Sequence, residues 1–526
     1  MLALSIWMLR IRLKLMRMNG ELFLIGLFVI QTPVYAQFTN NYWVWGDSAT
    51  IDWTNPGTPL VLKSAIVARG CTGSFKDTTN RTVFSCDLGS TFPRNNIVMN
   101  KYNLTFINGD SMRGTPVYHD KMILPDPGND SLIYIINAGV TQSGPYGLYY
   151  SKANYKANND TGIVLQKNIQ LNNLPAYDGL TAVRHGNGRD WWIVSQRWVA
   201  PTFTVPVNDF YIFHLGPSPP ITPLIQNIGL THTTNAGQVL FNKAGSKFVM
   251  ISLKGLIQIC DFDRCTGQII SCDSLQAESP GPSYPTLLGS CAFSNDERFL
   301  YICEYSQSTL PSIIWQYDLT APNIMASKDS IGGFNDYYIS PWAMLLAPDG
   351  KIYLSSGDDR FGWPYPDTSI AYTQVNSNLS VINQPDSLGL ACDFQPFSFY
   401  LGGARTYYGL PNNPDYELGA WVGSPCDTLT TNLTPGPSPE ERGAWIQAWY
   451  NHEWNTIHVN AAQLKGKKGV LRLLDIEGRI VFEKPAEVIA GGYYTTEIYM
   501  NELASGVYVV QLITDRETLS FKTSKL

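Results

Sequence analysis

The chain has 526 residues, of which 15% are charged and 12% are aromatic, and its formal net charge is −6. An average globular protein has about 25% charged residues, and aromatic and β-branched side chains suit pleated, half-buried sheet surfaces, so the composition predicts an all-β protein. Nucleic acid is not expected as a partner, because no basic stripe offsets the negative charge.

Residues 1–36 have the pattern of an export signal. Four basic residues between positions 10 and 17 precede an apolar run at 22–30, and the small residues at 34–36 suit a cleavage site before Gln37. This run has nine residues, whereas a transmembrane helix needs about 20. We therefore predict a signal peptide over 1–36 and no membrane span in the mature chain, with initiation at Met16 or Met18 as an alternative start.

One hairpin pattern recurs along the next part of the chain: an apolar run, a short turn that usually carries Gly or Asp, and a second run of aliphatic and aromatic residues. The copies occupy 70–86, 122–136, 180–194, 238–251, 290–303, 343–356 and, most weakly, 394–408. Their turn centres are 50 to 60 residues apart, which is the length of one four-stranded blade. Second hairpins lie between the copies, and each four-stranded unit needs a neighbour to cover its apolar face.

The repeats predict a seven-bladed β-propeller over 37–426, with six blades as the alternative if the copy at 394–408 is irregular. A ring of blades needs a closing contact. We expect the aromatic strand at 42–45 to pair with residues near 406–408.

Nine cysteines follow the predicted signal peptide, and disulfides persist in exported proteins. Hairpin symmetry favours bridges between neighbouring strands, and the last blade offers one more pair, so we expect Cys71–Cys86, Cys260–Cys272, Cys291–Cys303 and Cys392–Cys426. At least one cysteine stays unpaired because the number is odd. Buried reduced thiols are the alternative. We predict no metal and no other cofactor, since paired Cys-x-x-Cys spacing is absent and the His residues are scattered.

The pattern changes after Cys426. Residues 427–443 are rich in Thr, Pro and Gly without an apolar period, which indicates a solvated linker. Short alternating strands then follow to the end of the chain. They predict a small β-sandwich over 444–526.

The first candidate ligand-binding residues lie in the stretch 355–366. Asp358 and Asp359 would accept sugar hydroxyls or ligate a cation, with Arg360 beside them, while Trp363 and Tyr365 would stack on a sugar ring. The alternative is a long surface loop shaped by its Gly and Pro residues.

A second candidate set is Arg184, His185 and Arg189, although the sequence between them is also good hairpin-turn chemistry. Linear enzyme motifs are absent, and we predict no catalytic residue. A propeller enzyme can nevertheless assemble scattered side chains at its axis.

Several stretches together resemble a family of secreted propellers of the Bacteroidetes that is similar to WD-repeat and YVTN-type propellers. They include WVWGDSATIDW, GLTAVRHGNGRDWWIV and LLAPDGKIYLSS, and the resemblance covers nearly all of 42–413. The stretches LLDIEGRIVFEK and LASGVYVVQLITD resemble the C-terminal sorting domain, of type A, of the type IX secretion system. The matching residues are Gly478, Arg479, Gly506, Tyr508 and Leu512.

These resemblances imply a protein that is secreted or attached to the outer-membrane surface, with the type IX translocon and its tail-processing peptidase as partners. We expect a non-catalytic module that binds a glycan or a protein. The alternatives are a hydrolase or lyase with a motif-less axial site, and a structural matrix protein.

Overall fold

The repeated hairpins form separate antiparallel sheets in a computed structural model of the protein. The structure describes residues 17–18, 21–22, 38–68, 70–88, 95–114, 119–139, 147–173, 176, 178–197, 205–219, 222–234, 236–279, 286–306, 310–362, 365–366, 368–407, 409–427, 445–451, 455–462, 464–488, 494–501 and 503–525. The chain divides into two units, Met1–Thr430 and Thr431–Leu526. The predicted signal peptide lies outside the described residues apart from the two-residue strands β1 (Arg17–Met18) and β2 (Glu21–Leu22).

Six four-stranded sheets make up most of the first unit, with strands numbered in chain order. Sheet 1 contains β3 (Phe38–Thr39), β6 (Gly73–Asp77), β7 (Thr82–Leu88) and β8 (Asn95–Asn100). Sheet 2 contains β9 (Lys121–Pro125), β10 (Leu132–Gly139), β11 (Gly147–Asn154) and β12 (Ile163–Asn172). Sheet 3 contains β13 (Thr181–Arg184), β14 (Trp191–Gln196), β15 (Val207–Leu215) and β16 (Leu224–His232).

Sheet 4 contains β17 (Gly237–Phe241), β18 (Lys247–Ser252), β19 (Ile257–Asp263) and β20 (Gln268–Gln276). Sheet 5 contains β21 (Thr286–Phe293), β22 (Phe299–Ser306), β23 (Ser312–Asp318) and β24 (Asp329–Phe334). Sheet 6 contains β25 (Ile339–Leu346), β26 (Ile352–Asp358), β27 (Asn378–Ile382) and β28 (Phe394–Tyr400).

A separate hairpin of β4 (Tyr42–Asp52) and β5 (Leu60–Ala68) completes the sheets of the first unit. The helices are single turns: α1 (Ala157–Asp160) and α2 (Gln374–Ser377), with the 3₁₀ turns η1 (Met325–Ser327), η2 (Asp359–Phe361), η3 (Ser369–Ala371) and η4 (Gly389–Cys392).

Apolar clusters between successive sheets show that the first unit closes on itself. Clusters link sheets 1, 2 and 3, sheets 3 and 4, sheets 4 and 5, and sheets 5 and 6. Two further clusters join the β4–β5 hairpin to sheet 6 through Trp43 and Tyr353, and to sheet 1 through Val44 and Phe84. The first strands of neighbouring sheets contact one another, as β17 contacts β21. The first unit is therefore a β-propeller.

The two ends of the ring differ in which connections they carry. In sheets 2 to 6 the strand order follows the chain. The turns between the first and second strands and between the third and fourth strands therefore share one end, here called the turn end. The connections between the second and third strands, and those from sheet to sheet, share the opposite link end.

The contact that closes the ring lies near the predicted residues. Asp47 N donates to Arg405 O at 2.7 Å, and Arg405 N donates to Asp47 O at 3.0 Å. Trp45 Nε1 donates to Thr406 Oγ1 at 3.1 Å. Gly46 has φ +57°, and a Cβ there would lie 2.2 Å from Arg405 O, so glycine allows the strands to approach.

The hairpin predicted at 394–408 is wrong. Residues 394–400 form β28, the fourth strand of sheet 6, and Arg405 pairs with Asp47 in the β4–β5 hairpin. Gly402 and Gly403, both at positive φ, turn the chain between these two partners. The predicted number of blades stays a prediction.

The cysteine predictions are confirmed in one case. Cys260 and Cys272 lie directly opposite each other in β19 and β20 and form a disulfide. Cys265 is bridged to Cys426, so the predicted Cys392–Cys426 bridge is wrong, and Cys392 is a buried thiol.

The predicted bridges Cys71–Cys86 and Cys291–Cys303 are also wrong, and a one-residue register offset is the reason. Gly73 lies opposite Ser85, which offsets Cys71 from Cys86 by one residue. Ile302 lies opposite Cys291, so Cys303 is offset in the same way. The side chains point to opposite faces of their sheets, and these four cysteines are buried thiols.

The second unit consists of two antiparallel sheets. One contains β29 (Trp445–Asn451), β30 (Thr456–Ala462) and β33 (Tyr494–Tyr499). The other contains β31 (Lys468–Leu474), β32 (Ile480–Glu487), β34 (Gly506–Thr514) and β35 (Thr518–Lys525). Buried side chains of both sheets, including Ile457, Ile498, Leu471 and Leu512, share one core. This unit is a small β-sandwich. Over the described ranges of the chain, no helix is long and apolar enough to cross a membrane.

Candidate functional site

Three tyrosines with exposed rings lie at the link end of the propeller, in or near the first predicted loop. Tyr337 and Tyr338 belong to the connection between sheets 5 and 6, and their ring centroids are 4.1 Å apart. Tyr372 belongs to the β26–β27 connection. The exposed fractions are 40%, 38% and 42%. These tyrosines, with Asp336 and Arg360, are called the tyrosine surface below.

Arg360 joins the two connections. Its Nε and Nη2 donate to the two Asp358 oxygens at 2.7 and 2.9 Å, and its Nη1 lies 3.5 Å from Asp336 Oδ2. Asp359 N donates to Tyr338 O at 2.8 Å. A guanidinium fork held between two carboxylates has little rotational freedom, so the tyrosine surface has a fixed polar centre.

Asp358 supports the β26–β27 connection through buried hydrogen bonds. Its carboxylate is fully buried, binds Arg360, and accepts the Thr373 hydroxyl at 3.1 Å. Its backbone N–H donates to Tyr365 Oη at 2.6 Å. The structure therefore places Asp358 as a support for the loop, without an open carboxylate for a sugar or cation.

Asp359 is an exposed residue, but its carboxyl group is partly desolvated beside buried Ser340. Its Oδ2 accepts the Ser340 hydroxyl at 2.6 Å. Desolvation and the neighbouring Asp358 charge raise the pKa of Asp359 despite this hydrogen bond. Asp359 is thus the exposed member of the predicted carboxylate pair.

The predicted aromatic residues have different placements. Tyr365 is 1% exposed, and its ring contacts Tyr407 at 4.1 Å and lies 4.9 Å from the Arg405 guanidinium. The Tyr365 ring is therefore buried and does not offer a face to a ligand in this structure. Trp363 lies outside the described residues.

Arg405 connects the buried Tyr365 ring to the closing contact with Asp47. Its Nε donates to Asp47 Oδ2 at 2.8 Å, and its guanidinium lies 4.3 Å from the Tyr372 ring centroid. Arg405 is 1% exposed. The same side chain thus ties the closing strand to an exposed tyrosine.

Sequence reasoning missed Tyr337, Tyr338 and Tyr372. The available signal was the Tyr-Tyr pair just before a predicted strand, at a link-end position. Whether such rings are exposed depends on packing between sheets, which the local sequence does not specify.

The second predicted set lies at the turn end, in the β13–β14 turn, so the structure does not bring the two sets together. His185 Nδ1 accepts Asn187 N at 2.9 Å, and its ring stacks on Trp192 at 5.3 Å. Burial lowers the pKa of His185. These contacts hold His185 in the turn.

The arginines of this set also have fixed contacts. Arg184 lies 3.8 Å from the Trp191 ring centroid, and burial lowers its pKa to about 10. Arg189 Nε donates to Asp190 Oδ1 at 2.6 Å, and His214 Nε2 lies 3.2 Å from Asp190 Oδ2. Burial opposes ionisation of Asp190, but hydrogen bonds from His214, Arg189 and Asn187 hold its pKa far below the usual range.

The residues of the predicted sorting motif lie in the second unit. Gly478, at φ +78°, and Arg479 form the β31–β32 turn, where Arg479 Nε donates to Asp475 Oδ2 at 2.7 Å. Gly506 begins β34, Tyr508 Oη donates to Ala504 O at 2.6 Å, and Leu512 is buried. Recognition of these residues by a translocon stays a prediction. Within the described part of both units, no three His, Cys, Asp or Glu residues form a group suited to a metal ion.

Comparisons with known proteins give structural neighbours alone. No protein-family model and no curated protein matches the chain. A periplasmic gluconolactonase of Pseudomonas aeruginosa is 10% identical with a TM-score of 0.43, covering 70% of this chain and 98% of its own. An auxiliary nutrient-binding protein of Bacteroides thetaiotaomicron is 10% identical with a TM-score of 0.32, covering 55% and 66%.

The Dos1 propeller is also 10% identical with a TM-score of 0.32, covering 58% of this chain and 69% of its own. A propeller fold does not by itself select an activity. The chain is a β-propeller followed by a β-sandwich.

Proposed function

We propose that the protein is an exported, non-catalytic module that binds neutral saccharides at the tyrosine surface. The observation that carries this proposal is the exposure of Tyr337, Tyr338 and Tyr372 on two link-end connections, which Arg360 joins through Asp336 and Asp358.

The side chains of the tyrosine surface suit a pyranose ring. The exposed tyrosine rings offer apolar area to the C–H face of a sugar, and each hydroxyl offers a hydrogen-bonding group. Arg360 supplies N–H donors, and Asp336 supplies carboxylate acceptors for sugar hydroxyls. The ion pairs that hold these polar groups reduce the entropy lost on binding.

The charge around the tyrosine surface favours a neutral ligand. Among the residues that the structure describes, its neighbourhood contains four carboxylates and two guanidiniums: Asp47, Asp336, Asp358, Asp359, Arg360 and Arg405. The excess of negative charge disfavours sugars that carry carboxylate or sulfate groups.

The carboxylate geometry supports binding over glycoside hydrolysis. Hydrolysis commonly uses two carboxyl groups that face one glycosidic bond. Asp358 is fully buried against Arg360, so the Asp358–Asp359 pair presents one exposed carboxyl group.

Export is supported by the signal pattern at 1–36 and by the resemblance of 446–526 to a sorting domain. The two disulfides suit an oxidising compartment. We propose that the translocon and its tail-processing peptidase act on the chain, and that the propeller is secreted or attached to the cell surface.

A glycan array probed with the purified full-length protein tests the proposed ligand class. The double variant Tyr337→Ala, Tyr338→Ala should lose at least tenfold in affinity, since truncating aromatic residues at the centre of a binding site costs about 2 kcal/mol or more and about 1.4 kcal/mol is tenfold. Tyr102→Ala, which removes an exposed tyrosine from sheet 1, is the matched control and should bind like the wild type. Equal binding by all three proteins, binding restricted to anionic glycans, or release of sugar products would contradict the proposal.

A further inference from the structure

The segment 409–427, called the strap below, runs beside the first strands of the propeller. Asn412 N donates to Thr72 O at 2.7 Å, and Ser74 N donates to Asn413 Oδ1 at 2.8 Å. These contacts place the start of the strap against sheet 1, next to the β4–β5 hairpin.

One side chain of the strap spans two further sheets. Asn412 Nδ2 donates to Lys121 O at 3.2 Å and to Leu180 O at 2.9 Å. These acceptors precede or begin the first strands of sheets 2 and 3. The first strands line the centre of the ring, so the strap enters the axial space at the link end.

Tyr416 continues this path. Its side chain is buried with Phe75 and Trp191, which belong to sheets 1 and 3. Its hydroxyl donates to Ile123 O, in sheet 2, at 2.7 Å. The strap therefore fills space among sheets 1, 2 and 3.

Two arginines hold the backbone of the strap at the turn end. Arg184 Nη2 donates to Tyr416 O at 3.0 Å, and Arg264 Nη2 donates to Gly419 O at 2.5 Å. Trp421 N donates to Gly186 O at 2.8 Å. A Cβ at Gly188, which has φ +75°, would lie 2.7 Å from Ala420 N, so the turn and the strap are closely packed.

The strap ends in a covalent bond across the ring. Cys426 is bridged to Cys265, in the β19–β20 turn of sheet 4. Around the ring, sheet 4 is separated from the β4–β5 hairpin by sheets 1 to 3 on one side and by sheets 5 and 6 on the other. The strap thus starts beside the hydrogen-bonded closure and is anchored on the far side of the ring.

We propose that the strap is a second, redox-dependent closure of the propeller, locked by the Cys265–Cys426 disulfide. In an oxidising compartment the disulfide fixes the strap in the axial space. A dithiol reductant delivers two electrons and two protons to the S–S bond, which yields the two cysteine thiols and the cyclic disulfide of the reductant. The strap is then held by its hydrogen bonds and by the packing of Tyr416, and its outer part, beyond Tyr416, opens more often.

The double variant Cys265→Ser, Cys426→Ser tests this proposal in the full-length protein. The bridge closes a loop with a sequence separation of 161 residues, whereas Cys260–Cys272 spans 12 residues within one hairpin. Longer closed loops restrict the unfolded chain more. We expect the strap variant to lower Tm by about 5 °C or more, and the matched control Cys260→Ser, Cys272→Ser to lower it less.

Amide hydrogen exchange supplies the specific measurement. In the strap variant, exchange over 416–427 should accelerate at least tenfold, while the control variant should change exchange around the β19–β20 hairpin. Wild-type protein treated with dithiothreitol should reproduce the faster strap exchange, which keeps the test valid if a variant fails to fold. Unchanged strap exchange after verified reduction, or free Cys265 and Cys426 thiols in protein purified without reductant, would overturn the proposal.

Discussion

The two ends of the propeller use arginines in different ways. At the link end, Arg360 and Arg405 bind carboxylates. At the turn end, Arg184 and Arg264 bind main-chain carbonyl groups of the strap. A guanidinium paired with a carboxylate is neutralised locally, and at the link end three tyrosine rings remain partly exposed. A guanidinium that binds carbonyl groups fixes a chain segment, which here closes the turn end.

Replacing Arg405 should have the largest effect on stability. Arg405→Met would remove the buried guanidinium that forms an ion pair with Asp47, and breaking a buried ion pair costs about 3–5 kcal/mol. Urea denaturation of the full-length protein measures this change. Arg298→Met, which breaks the more exposed Arg298–Asp318 pair, serves as the control and should cost much less than Arg405→Met. Equal losses for both variants would contradict the distinction between buried and exposed pairs.

Arg264→Met should rank second. The substitution removes the hydrogen bonds from Arg264 to the carbonyl groups of Gly419 and Arg184, and a hydrogen bond from a charged group contributes about 1.5–3 kcal/mol. No carboxylate loses its ion-pair partner, so the loss should be smaller than for Arg405→Met. Urea denaturation gives the ranking, and hydrogen exchange should show faster opening of 416–427. If Arg264→Met lowered the free energy of unfolding more than Arg405→Met, the carbonyl-bound arginine at the turn end would be the more important of the two for stability, contrary to our expectation.

Asp359→Asn should have the smallest effect and should depend on pH. The pKa of Asp359 is raised in the folded state, so its protonated form is favoured by folding. That contribution is fully present below the unfolded pKa of about 3.9 and is lost as pH rises through the folded pKa. The Asn variant should therefore be more stable than the wild type at pH 7, by less than about 1 kcal/mol after solvent screening.

Urea denaturation at pH 7 and pH 3.5 checks this expectation, and Asp336→Asn is a control at a neighbouring exposed carboxylate. The stabilisation by Asp359→Asn should vanish at the lower pH. A variant that is less stable than the wild type at pH 7 would show that the Asp359 charge is favourable in the folded protein.

Local sequence patterns predicted the hairpins whose partners are close along the chain. Cys260 and Cys272 pair because they are symmetric about a turn and directly opposite in register. Cys71 and Cys86 have similar symmetry, but a shift of one residue sends their side chains to opposite faces. Turn geometry sets such a shift, and spacing alone does not reveal it.

Contacts between distant parts of the chain were harder to predict. The closing strand was expected near residues 406–408, and the aromatic run at 42–45 provided that signal. The Cys265–Cys426 bridge depends on the path of the strap through the ring, which has no local repeat. The predicted loop at 355–366 does lie at the link end, but packing buries Tyr365 and exposes Tyr337 instead.

The position of Cys426 has a mechanical consequence for whatever follows it in the chain. A force applied to the chain beyond Asp427 would be transmitted to sheet 4 by the Cys265–Cys426 disulfide. It would not act first on the contact between Arg405 and Asp47. Pulling on the tail, cleaving it or attaching it to another molecule would then leave the ring closed. The propeller would keep its fold whatever happens to the chain beyond Cys426.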